Sequence, residues 1–255
     1  MNISACIVTY NDLDEAQVAA KSIIKNTKQN DLTLFLVDNA STDGTGEGLQ
    51  KTDFGENTKV LALPRNLGFG SGHNKVLPLI NSRYHAVINP DIQLTDDALS
   101  DICAYMDANP DIVMVTPALR FPDGREQYTA KRKPSLMALL SRQLPLPFLK
   151  NIEKHYLMLD EDLSVAKDVQ FCSGCFFVIR TEIFCKMGGF DEDYFMYVED
   201  ADITQKALKY GRCIYLPSVS VVHAWHRDAN KKLHNFFMQI KSMFIYWHKW
   251  GFKFI

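Results

Sequence analysis

Short apolar runs rich in β-branched residues alternate with longer amphipathic stretches through the first half of the chain. The apolar runs lie near Ile3 to Thr9, Leu32 to Val37, Val60 to Leu63, His85 to Ile88 and Ile112 to Val115. The stretches between them carry apolar residues at helical spacing, from Asp14 to Asn26, from Ser71 to Ile80 and from Asp96 to Ala108. This alternation predicts βαβ units and an α/β fold, in which helices flank a mostly parallel central sheet.

The second half of the chain is less regular. Between Arg125 and Lys167 the pattern weakens, and several prolines and basic residues indicate an excursion or a flexible flap. Regular patterning returns with a helix near Ala201 to Tyr210 and two short strands, CIYL and SVVH. From Lys231 to Trp250, apolar residues recur at helical spacing and basic residues occupy other positions. This tail fits either a terminal helix packed on the core or an interfacial helix on an anionic membrane surface.

Composition and charge exclude several classes of protein. With 255 residues, 47% of them hydrophobic, the chain can bury a substantial core, and one large domain is expected. The net charge of -2 argues against general affinity for nucleic acid, because phosphate backbones require a surplus of Lys and Arg. We find no signal-like start and no run of about 18 apolar residues, so we expect a cytoplasmic protein without a membrane span.

The six cysteines show neither a disulfide-like nor a zinc-like framework, and we expect them to be reduced and buried. Cys172 and Cys175 form a CSGC segment that invites a redox or zinc interpretation. That segment lies within a strand-like run and has no partner CxxC, so buried structural thiols are the better interpretation. Ser173 and Gly174, between the two thiols, are candidates for lining an acceptor cleft.

Polar residues follow the first two predicted strands, where the ligand of an open α/β sheet binds. Thr9, Tyr10 and Asn11 end the first strand, and Asp38 lies at the tip of the second. A carboxylate at Asp38 can accept hydrogen bonds from a ribose hydroxyl or a base N–H. Asp43, in a turn rich in Asn, Ser and Gly, fits better as a cap of the next helix.

A glycine-rich segment, RNLGFGSGHN, follows the third predicted strand. Glycines at 68, 70 and 72 would let the backbone approach a ligand closely and let the next helix begin without a Cβ clash. A dinucleotide-binding loop is the rival interpretation. Its fingerprint belongs after the first strand and is followed by an acidic residue about 20 positions on, so the place in the chain argues against it.

The fourth predicted strand ends in Asn89, Pro90 and Asp91. A carboxylate at a strand tip beside a diphosphate suits a hard divalent cation such as Mg²⁺ or Mn²⁺, although the same three residue types also form ordinary turns. Far downstream, His223 ends another strand. A lone histidine is more often structural than a ligand, but Asp91 and His223, with diphosphate and water, would make a plausible octahedral site.

The segment FDEDYFMYVEDAD concentrates carboxylates beside aromatic residues. Glu199 and Asp200 begin the predicted helix there, so they could be only a favourable pair in its first turn. Apolar residues directly precede them, which suggests poor solvation of both carboxylates. Crowded, buried carboxylates have raised pKa values and can serve as general bases.

Seven segments occur in the order found in family 2 glycosyltransferases: TYN, VDNASTDGT, RNLGFGSGHN, NPD, CSG, GGFDEDYFMYVEDAD and VVH. The resemblance runs from Ile3 to about Arg227, and the NPD segment looks most like rhamnosyltransferase-type members that build bacterial polysaccharides on lipid carriers. It implies the GT-A fold, an inverting reaction and a nucleoside-diphosphate sugar donor. It also implies a GT-A domain over residues 1–228, with a nucleotide-sugar half (1–116) and an acceptor and catalytic half (117–228), followed by a helical tail over 229–255.

Matched residue by residue, the resemblance assigns roles to individual side chains. Its nucleotide-sugar positions are Thr9, Asn11, Asp38, Arg65, Gly72, Asn89 and Asp91. Asp91 and His223 are its metal ligands, for Mn²⁺ or Mg²⁺. Asp200 falls on the position of the catalytic base with Glu199 beside it, and Ser173, Gly174 and Asp191 fall on the acceptor side. Asn89 departs from the pattern, because it replaces the first acidic residue of the commoner DxD motif.

These assignments predict a direct displacement in which Asp200 takes the acceptor's proton and the metal offsets charge on the departing diphosphate, with help from Arg65 or Arg227. The expected donors are dTDP-rhamnose first and UDP-hexoses second. The expected acceptor is a saccharide or polyprenyl-diphosphate-linked saccharide of a surface polysaccharide such as O-antigen or capsule, reached at the inner face of the membrane through the amphipathic tail. The rivals are a sugar nucleotidyltransferase of related fold and a non-catalytic nucleotide-sugar-binding protein.

Overall fold

A computed structural model describes residues 2–28, 32–143, 146–224 and 232–254, with side chains left undescribed at 142–143 and 232–234. Within these ranges the strands are β1 (Ile3–Thr9), β2 (Leu32–Asp38), β3 (Thr58–Ala62), β4 (Tyr84–Ile88), β5 (Ile92–Gln93), β6 (Ile112–Arg120), β7 (Glu126–Gln127), β8 (Lys167–Asp168), β9 (Phe176–Arg180) and β10 (Arg212–His223). The helices are α1 (Leu13–Asn26), α2 (Thr45–Lys51), α3 (Phe69–Asn74), α4 (Ala98–Ala108), α5 (Leu136–Gln143), α6 (Lys150–Tyr156), α7 (Thr181–Lys186), α8 (Glu199–Ala207) and α9 (Lys232–Trp250).

One mixed sheet joins both halves of the chain, with the strand order β3-β2-β1-β4-β9-β6-β10-β5. Strands β1 to β4 run parallel, β9 is antiparallel to β4 and β6, and β10 is parallel to β6. The amino end of β9 therefore lies at the same edge of the sheet as the carboxyl ends of β1, β2 and β4. That edge is where the predicted site residues are concentrated.

The central strands are buried on both faces because helices cover each side. Along β1, Ile3, Ala5 and Ile7 face the core that α1 and α4 complete, whereas Cys6 and Val8 face the opposite side. This alternation follows from the two-residue period of a strand. Continuous apolar runs of this kind are typical of strands buried on both faces.

The early elements match the sequence-based expectation closely, but several later ones differ. The stretch predicted as one helix from Ser71 to Ile80 divides into α3 and a short 3-10 turn at Leu77–Leu79. CIYL and SVVH belong to one strand, β10, which is irregular between Leu216 and Ser220. Pro217 lies in that interval and has no N–H for the ladder, which explains why the sequence looked like two strands.

The predicted flap is an ordered region. It contains β7, α5 and α6, and β8 pairs with β10. The side chain of Arg132 ties the region together, since it binds Asp160 at 2.7 Å and also contacts Glu161. Prolines therefore mark the ends of short elements here, and the described residues contain regular secondary structure where an excursion or a flexible flap was expected.

Helix α9 packs against the rest of the protein through one face. Met243 and Tyr246 are buried, and the Trp250 indole donates to Asp202 of α8 at 2.7 Å. The segment after α9 returns to α5, where Leu136 and Met137 donate backbone hydrogen bonds to the carbonyls of Lys253 and Phe254. Packing on the core, one of the two interpretations of the tail, is thus present, while the opposite face stays exposed.

Four of the cysteines are fully buried and all six are free thiols, as the sequence indicated. Cys185 is exposed, however, and Cys175 is only partly buried. The expectation that all six would be buried was therefore wrong for these two. In the described residues, no helix is long and apolar enough to cross a membrane.

Candidate active site

Asp91 and His223 meet at the carboxyl edge of the sheet although they lie far apart in the chain. The two-residue strand β5, directly after Asp91, pairs antiparallel with the end of β10 and aligns Ile92 with His223. Ala224 also donates its backbone N–H to the Asp91 carbonyl at 3.0 Å. These contacts place His223 Nε2 at 3.1 Å from Asp91 Oδ2.

Gln127, which the sequence did not single out, fixes the orientation of the His223 ring. Its Oε1 accepts from His223 Nδ1 at 2.7 Å, and its Nε2 donates to the His223 carbonyl at 2.8 Å. Burial by itself would lower the pKa of His223, but hydrogen bonds with Asp91 and Cys175 raise it to about 10. With Nδ1 held by Gln127, the ring directs Nε2 at Asp91.

This pair has the donor atoms that a hard divalent cation accepts. Asp91 Oδ1 is buried and has no hydrogen-bond partner, and His223 Nε2 contacts the other carboxylate oxygen, Oδ2. A metal-binding imidazole usually donates its other ring N–H to an acceptor, and Gln127 Oε1 provides one for His223 Nδ1. Among the described residues no group of three or more His, Cys, Asp or Glu side chains is arranged around a metal position. Asp91 and His223 are thus two candidate ligands.

Asp200 lies at the amino end of α8 and faces the CSGC segment. The Gly174 N–H donates to Asp200 Oδ2 at 3.1 Å, and the Ala201 N–H donates to Oδ1 at 3.0 Å. A Cβ on residue 174 would lie 3.1 Å from the Asp200 Cβ, so a glycine allows this close approach. Burial raises the pKa of Asp200, and the charge of Lys131 and these hydrogen bonds oppose the rise.

The CSGC segment connects the two centres. Gly174 binds Asp200, and the next residue, Cys175, accepts a backbone hydrogen bond from Asn89 at 2.8 Å and contacts His223. The Asp91 and His223 pair and Asp200 are thus linked through two consecutive residues. The CSGC segment therefore positions Asp200 and the residues around Asp91. The interpretation of its cysteines as structural thiols did not include this role.

Glu199 is more deeply buried than its neighbour. Its Oε2 has no hydrogen-bond partner, and burial together with the charge of Asp200 raises the pKa of Glu199 to about 8. Glu199 is therefore mainly neutral near pH 7, whereas Asp200 has the hydrogen bonds that favour a charged carboxylate. This difference supports Asp200, of the two, as the base.

Strained backbone precedes these carboxylates. Tyr197 and Val198 have φ values of 70° and 69°, a left-handed conformation that is unfavourable for a β-branched residue such as Val198. Such strain persists only where surrounding contacts hold it. Here the Phe195 carbonyl accepts from the Phe69 N–H at 3.0 Å, and the Met196 carbonyl accepts from Ser242 of α9 at 2.8 Å.

The glycine-rich segment therefore contacts the acidic segment directly. Gly68 has a φ of 84°, and a Cβ on it would lie only 2.0 Å from the Phe195 carbonyl oxygen. A Cβ at Gly72 would lie 2.8 Å from a methyl group of Val8, so Gly72 lets α3 pack on β1. Both glycines have packing roles, and the expected approach of Gly72 to a nucleotide stays a prediction.

The loops after β1 and β2 are joined by side-chain hydrogen bonds. Asn11, with a φ of 56°, accepts from the Thr42 N–H at 2.8 Å, and its own N–H donates to Ser41. Asp38 is buried and accepts from the Ser41 N–H at 3.2 Å, while Thr9 Oγ1 donates to the Asp12 carbonyl at 3.0 Å. These residues form one edge of the site, next to β4.

Asn39 is another positioning residue that sequence reasoning missed. It accepts from the Leu67 N–H at 2.9 Å and donates to Asn66 and to the Gly68 carbonyl at 3.0 Å each. It thereby attaches the loop of Arg65 to β2, and Arg65 itself is exposed on that loop. Because Asn39 lies among turn-forming residues after Asp38, the sequence pattern did not indicate this role.

The remaining predicted residues lie around the acidic segment. Ser173 is buried beside Gly174. Asp191 pairs with Lys249 of α9, and Lys249 also contacts Asp202 at 3.3 Å. Asp43 accepts from the Thr45 N–H at 3.0 Å, but the N-cap residue of α2 is Gly44, so Asp43 lies one residue before the capping position expected for it. Arg227 and the boundary proposed at 228/229 lie outside the described residues.

A pocket of about 180 Å³ opens beside Asp200. Lys131, Tyr156 and Phe171 line it together with residues of α8, and α5 and α9 contribute Leu139, Gln239 and Met243. Lys131 is only 8% exposed and lies 4.3 Å from the centre of the Phe171 ring. Sequence reasoning had noted Lys131 only as one basic residue of a flap.

The model of glycosyl transferase family 2 matches residues 4–188. The chain belongs to this family. The resemblance stated from the motifs is confirmed, and the matched region includes the loops after β1, β2, β3 and β4 and the CSGC segment.

Curated relatives of the chain include rhamnosyltransferases. The chain is 28% identical over 205 residues to N-acetylglucosaminyl-diphospho-decaprenol L-rhamnosyltransferase of Mycobacterium tuberculosis, which covers 75% of the chain and 66% of that enzyme. It is 26% identical over 192 residues to rhamnosyltransferase WbbL of Escherichia coli, over 70% of the chain and 69% of the relative. The chain thus spans slightly less than two thirds of the mycobacterial enzyme and is a rhamnosyltransferase-like family member.

Solved structures confirm the predicted GT-A fold. A mannosyltransferase from Pyrobaculum calidifontis in complex with GDP-Man and Mn²⁺ superimposes with a TM-score of 0.64 at 18% identity, over 91% of this chain and 59% of that one. GalNAc-T7 with UDP, GalNAc and Mn²⁺ gives 0.69 at 16% identity, over 89% and 44%. The S. aureus TarS structure in complex with UDP-GlcNAc gives 0.63 at 18% identity, over 91% and 61%.

Proposed function

We propose that the protein is an inverting glycosyltransferase that moves a sugar from a nucleoside-diphosphate donor to a hydroxyl of a saccharide acceptor. Rhamnose, from dTDP-rhamnose, is the proposed sugar, and a UDP-hexose is the second choice of donor. The acceptor is a polyprenyl-diphosphate-linked saccharide of a bacterial surface polysaccharide. The observation that carries the proposal is the link, through Gly174 and Cys175, between Asp200 and the pair of Asp91 and His223.

That link supports the proposal that a base and a group that offsets the charge of a diphosphate lie at one edge of the sheet. In a single displacement the attacking hydroxyl and the departing diphosphate lie on opposite sides of the anomeric carbon. A base beside Gly174 and a charge-offsetting group beside Cys175 suit this arrangement. Asn11, Asp38 and Asn89 line the adjoining strand ends and are the proposed contacts of the nucleotide sugar, with Arg65 from the loop after β3.

Asp200 accepts the proton of the acceptor hydroxyl in this proposal. The N–H groups of Gly174 and Ala201 hold its carboxylate in place, so the proton-accepting oxygen is positioned before the acceptor arrives. Glu199 stays mainly neutral near pH 7 because its pKa is raised to about 8. A neutral neighbour adds no negative charge beside the base, and such a charge would raise the pKa of Asp200 further.

Asp91 and His223 would hold a Mn²⁺ or Mg²⁺ ion, which would neutralise part of the charge on a bound diphosphate. The buried, unpartnered Oδ1 of Asp91 and the orientation of His223 by Gln127 support this assignment. The two structural neighbours whose descriptions include Mn²⁺ support it as well. Asn89 adds an amide instead of a second carboxylate, which favours an ion that takes several of its ligands from substrate.

The test is a transfer assay on the purified full chain. Candidate donors are first screened by thermal shift with and without Mn²⁺, and those that stabilise the protein are then assayed with a polyprenyl-diphosphate-linked N-acetylglucosamine acceptor. We expect dTDP-rhamnose to stabilise and to be consumed only when acceptor is present. A donor that binds without any transfer would identify a non-catalytic binding protein. Release of pyrophosphate from a nucleoside triphosphate would identify a nucleotidyltransferase.

The proposed place of action is the inner face of the cell membrane, where a polyprenyl-linked acceptor would be presented. The exposed side of α9 supports this proposal, since Phe237 and Phe244 are more than half exposed there. Aromatic side chains and nearby lysines such as Lys241 are the groups that favour an anionic interface. Sedimentation of Phe237→Ser with anionic vesicles checks it: weaker binding than that of the wild type is expected, and unchanged binding argues against membrane contact through this face.

A further inference from the structure

An apolar groove runs between α5 and α9 beside the Asp200 pocket. Its volume is about 230 Å³, and apart from one glutamine its lining is apolar. The side chains that matter here are Leu136, Leu140, Phe236, Ile240, Phe244 and Trp247. Phe244 is 64% exposed and Phe236 is 43% exposed, so the groove is open to solvent along α9. A contiguous apolar surface of this kind is uncommon unless it binds something.

The groove adjoins the Asp200 pocket. Leu139 of α5 and Gln239 and Met243 of α9 line both spaces, so only these side chains lie between them. A ligand with a hydroxyl next to Asp200 would reach the groove by passing these three side chains. Lys133, just before α5, donates to the Trp250 carbonyl at the end of α9 at 2.8 Å and so helps to hold the two helices together.

The chemistry of the groove differs from that of the adjoining pocket. The groove is apolar, whereas the pocket is lined by both the ammonium group of Lys131 and the carboxylate of Asp200. Lys131 is close enough that its charge acts on Asp200. A lipid-linked saccharide has complementary groups, namely a hydrocarbon chain for the groove and an anionic diphosphate and a sugar hydroxyl for the pocket.

We propose that the groove between α5 and α9 binds the first isoprene units of the acceptor's polyprenyl chain. This inference rests on the proposed function, because it assigns a subsite to the lipid-linked acceptor. The similarity to an enzyme whose name includes a decaprenol-linked substrate supports the choice of occupant. An isoprenoid chain also suits a groove lined by branched and aromatic side chains, which make many dispersion contacts with its methyl groups.

Two synthetic acceptors test the subsite. Both carry N-acetylglucosamine on a diphosphate, and one is the farnesyl ester while the other is the methyl ester. With the full chain, below the micellar concentration of the farnesyl compound, we expect kcat/KM to be about tenfold higher for the farnesyl acceptor, which corresponds to about 1.4 kcal/mol. Equal values for the two acceptors would overturn the proposal.

A pair of matched variants assigns that preference to the groove. Phe244→Ser removes a groove side chain, and Phe237→Ser removes an equally exposed phenylalanine of α9 that does not line the groove. The ratio of kcat/KM values for the farnesyl and methyl acceptors should fall towards one in Phe244→Ser and stay as in the wild type in Phe237→Ser. An unchanged ratio in Phe244→Ser, with an unchanged Tm, contradicts the assignment.

A photocrosslinking experiment is independent of turnover and so separates this inference from the proposed function. The probe is a farnesyl diphosphate analogue that carries a benzophenone at the end of the chain. Labelling should map to peptides of α5 and α9, and farnesyl diphosphate should compete while inorganic diphosphate should not. This result would support the subsite even if no sugar transfer is found. Labelling elsewhere would overturn the subsite even if transfer is found.

Two other occupants of the groove would be recognised in the same experiments. A bilayer surface predicts that Phe244→Ser and Phe237→Ser weaken vesicle binding equally and leave the acceptor ratio intact. A second copy of the chain predicts a concentration-dependent dimer in sedimentation velocity that Phe244→Ser dissociates. Either outcome replaces the isoprenoid assignment.

Discussion

Single residues at the site owe their properties to burial and to a few hydrogen bonds. Asp200 and Glu199 are adjacent carboxylates, yet only Asp200 receives the N–H group of Gly174. Glu199 is left with an unpartnered oxygen and a pKa raised to about 8. Two adjacent carboxyl groups thus have different surroundings, which is the usual basis for separate roles.

Asp200→Asn should abolish proton acceptance while it preserves the shape of the pocket. We expect kcat to fall by about 10²- to 10⁴-fold, the usual contribution of a positioned base, with donor affinity nearly unchanged. Steady-state kinetics and donor titration by calorimetry provide the measurements. Asp193→Asn is the matched control, because Asp193 is an exposed acid of the same segment. A fully active Asp200→Asn enzyme would refute the role.

Lys131→Met should alter the pH dependence of turnover. Burial raises the pKa of Asp200 and the charge of Lys131 opposes that rise, so removal of the charge should raise this pKa further. A base must be deprotonated to act, and the acid limb of the kcat profile should therefore move to higher pH. Lys154→Met, at an exposed position of α6, is the control. An unchanged acid limb would show that the charge of Lys131 does not act on the pKa of the base.

Glu199→Gln should change how stability depends on pH. The folded-state pKa of Glu199, about 8, is above its usual value, so the folded protein binds this proton more tightly than the unfolded chain. The stability that this protonated carboxyl group contributes is fully present below the pKa of Glu199 in the unfolded chain. It is lost as the pH rises through the pKa of Glu199 in the folded protein. Between pH 5 and about 8.5, the wild-type Tm should fall more than that of Glu199→Gln. Parallel curves would show that Glu199 is not protonated in the folded protein.

At the scale of elements, the site depends on contacts between segments that are distant in sequence. The turn from Phe195 to Val198 is held on one side by the glycine-rich segment and on the other by Ser242 of α9. The Asp202 N–H donates to the Val198 carbonyl at 3.0 Å, so the strained turn leads directly into α8. Correct placement of the carboxylates at the start of α8 therefore requires all three segments.

Gly68→Ala should disturb this arrangement. The new Cβ would clash with the Phe195 carbonyl oxygen, at 2.0 Å, and the φ of 84° is unfavourable for alanine. We expect a loss of about 2 to 4 kcal/mol in the free energy of unfolding and a reduced kcat. Gly124→Ala is the matched control: its φ is 85° but nothing lies within 4 Å, so only about 1 kcal/mol should be lost. Equal losses in both variants would show that the contact with Phe195 is unimportant.

At the scale of the whole molecule, one continuous sheet carries residues from both halves of the chain to a single edge. Asp91 comes from the first half and His223 from the end of β10, and the CSGC segment, which leads into β9, lies beside them. Helix α9 then closes one side of the Asp200 pocket. The tail is thus part of the wall of that pocket.

Deletion of residues 232–254 should destabilise the protein and not simply detach it from membranes. Met243 and Tyr246 each lose burial worth about 1.5 to 3 kcal/mol, and Asp202 loses its hydrogen bond from Trp250. We expect a lower Tm and loss of transfer even with a short, water-soluble acceptor. Urea unfolding and the methyl-ester assay are the measurements, with Phe237→Ser as the control. An undiminished Tm would show that α9 is an independent appendage.

The sequence alone determined the class of the fold and the identity of most chemical groups. Its alternating pattern predicted the strands and helices of the first half because buried parallel strands and amphipathic helices have distinct periods. Strand-end residues such as Asp38 and Asp91 were found for the same reason, since ligands bind where parallel strands end. The order of the motifs then indicated the family.

Only the tertiary structure decided how these groups meet. Strand β5 is two residues long and β7 equally short, so no periodic signal could reveal the pairing that joins Asp91 to His223 or the position of Gln127. The contacts of Gly174 with Asp200, and of α9 with the catalytic pocket, join residues that are at least 26 positions apart. Local patterns determine which elements form, whereas burial, pKa and contact depend on neighbours that only the folded chain supplies.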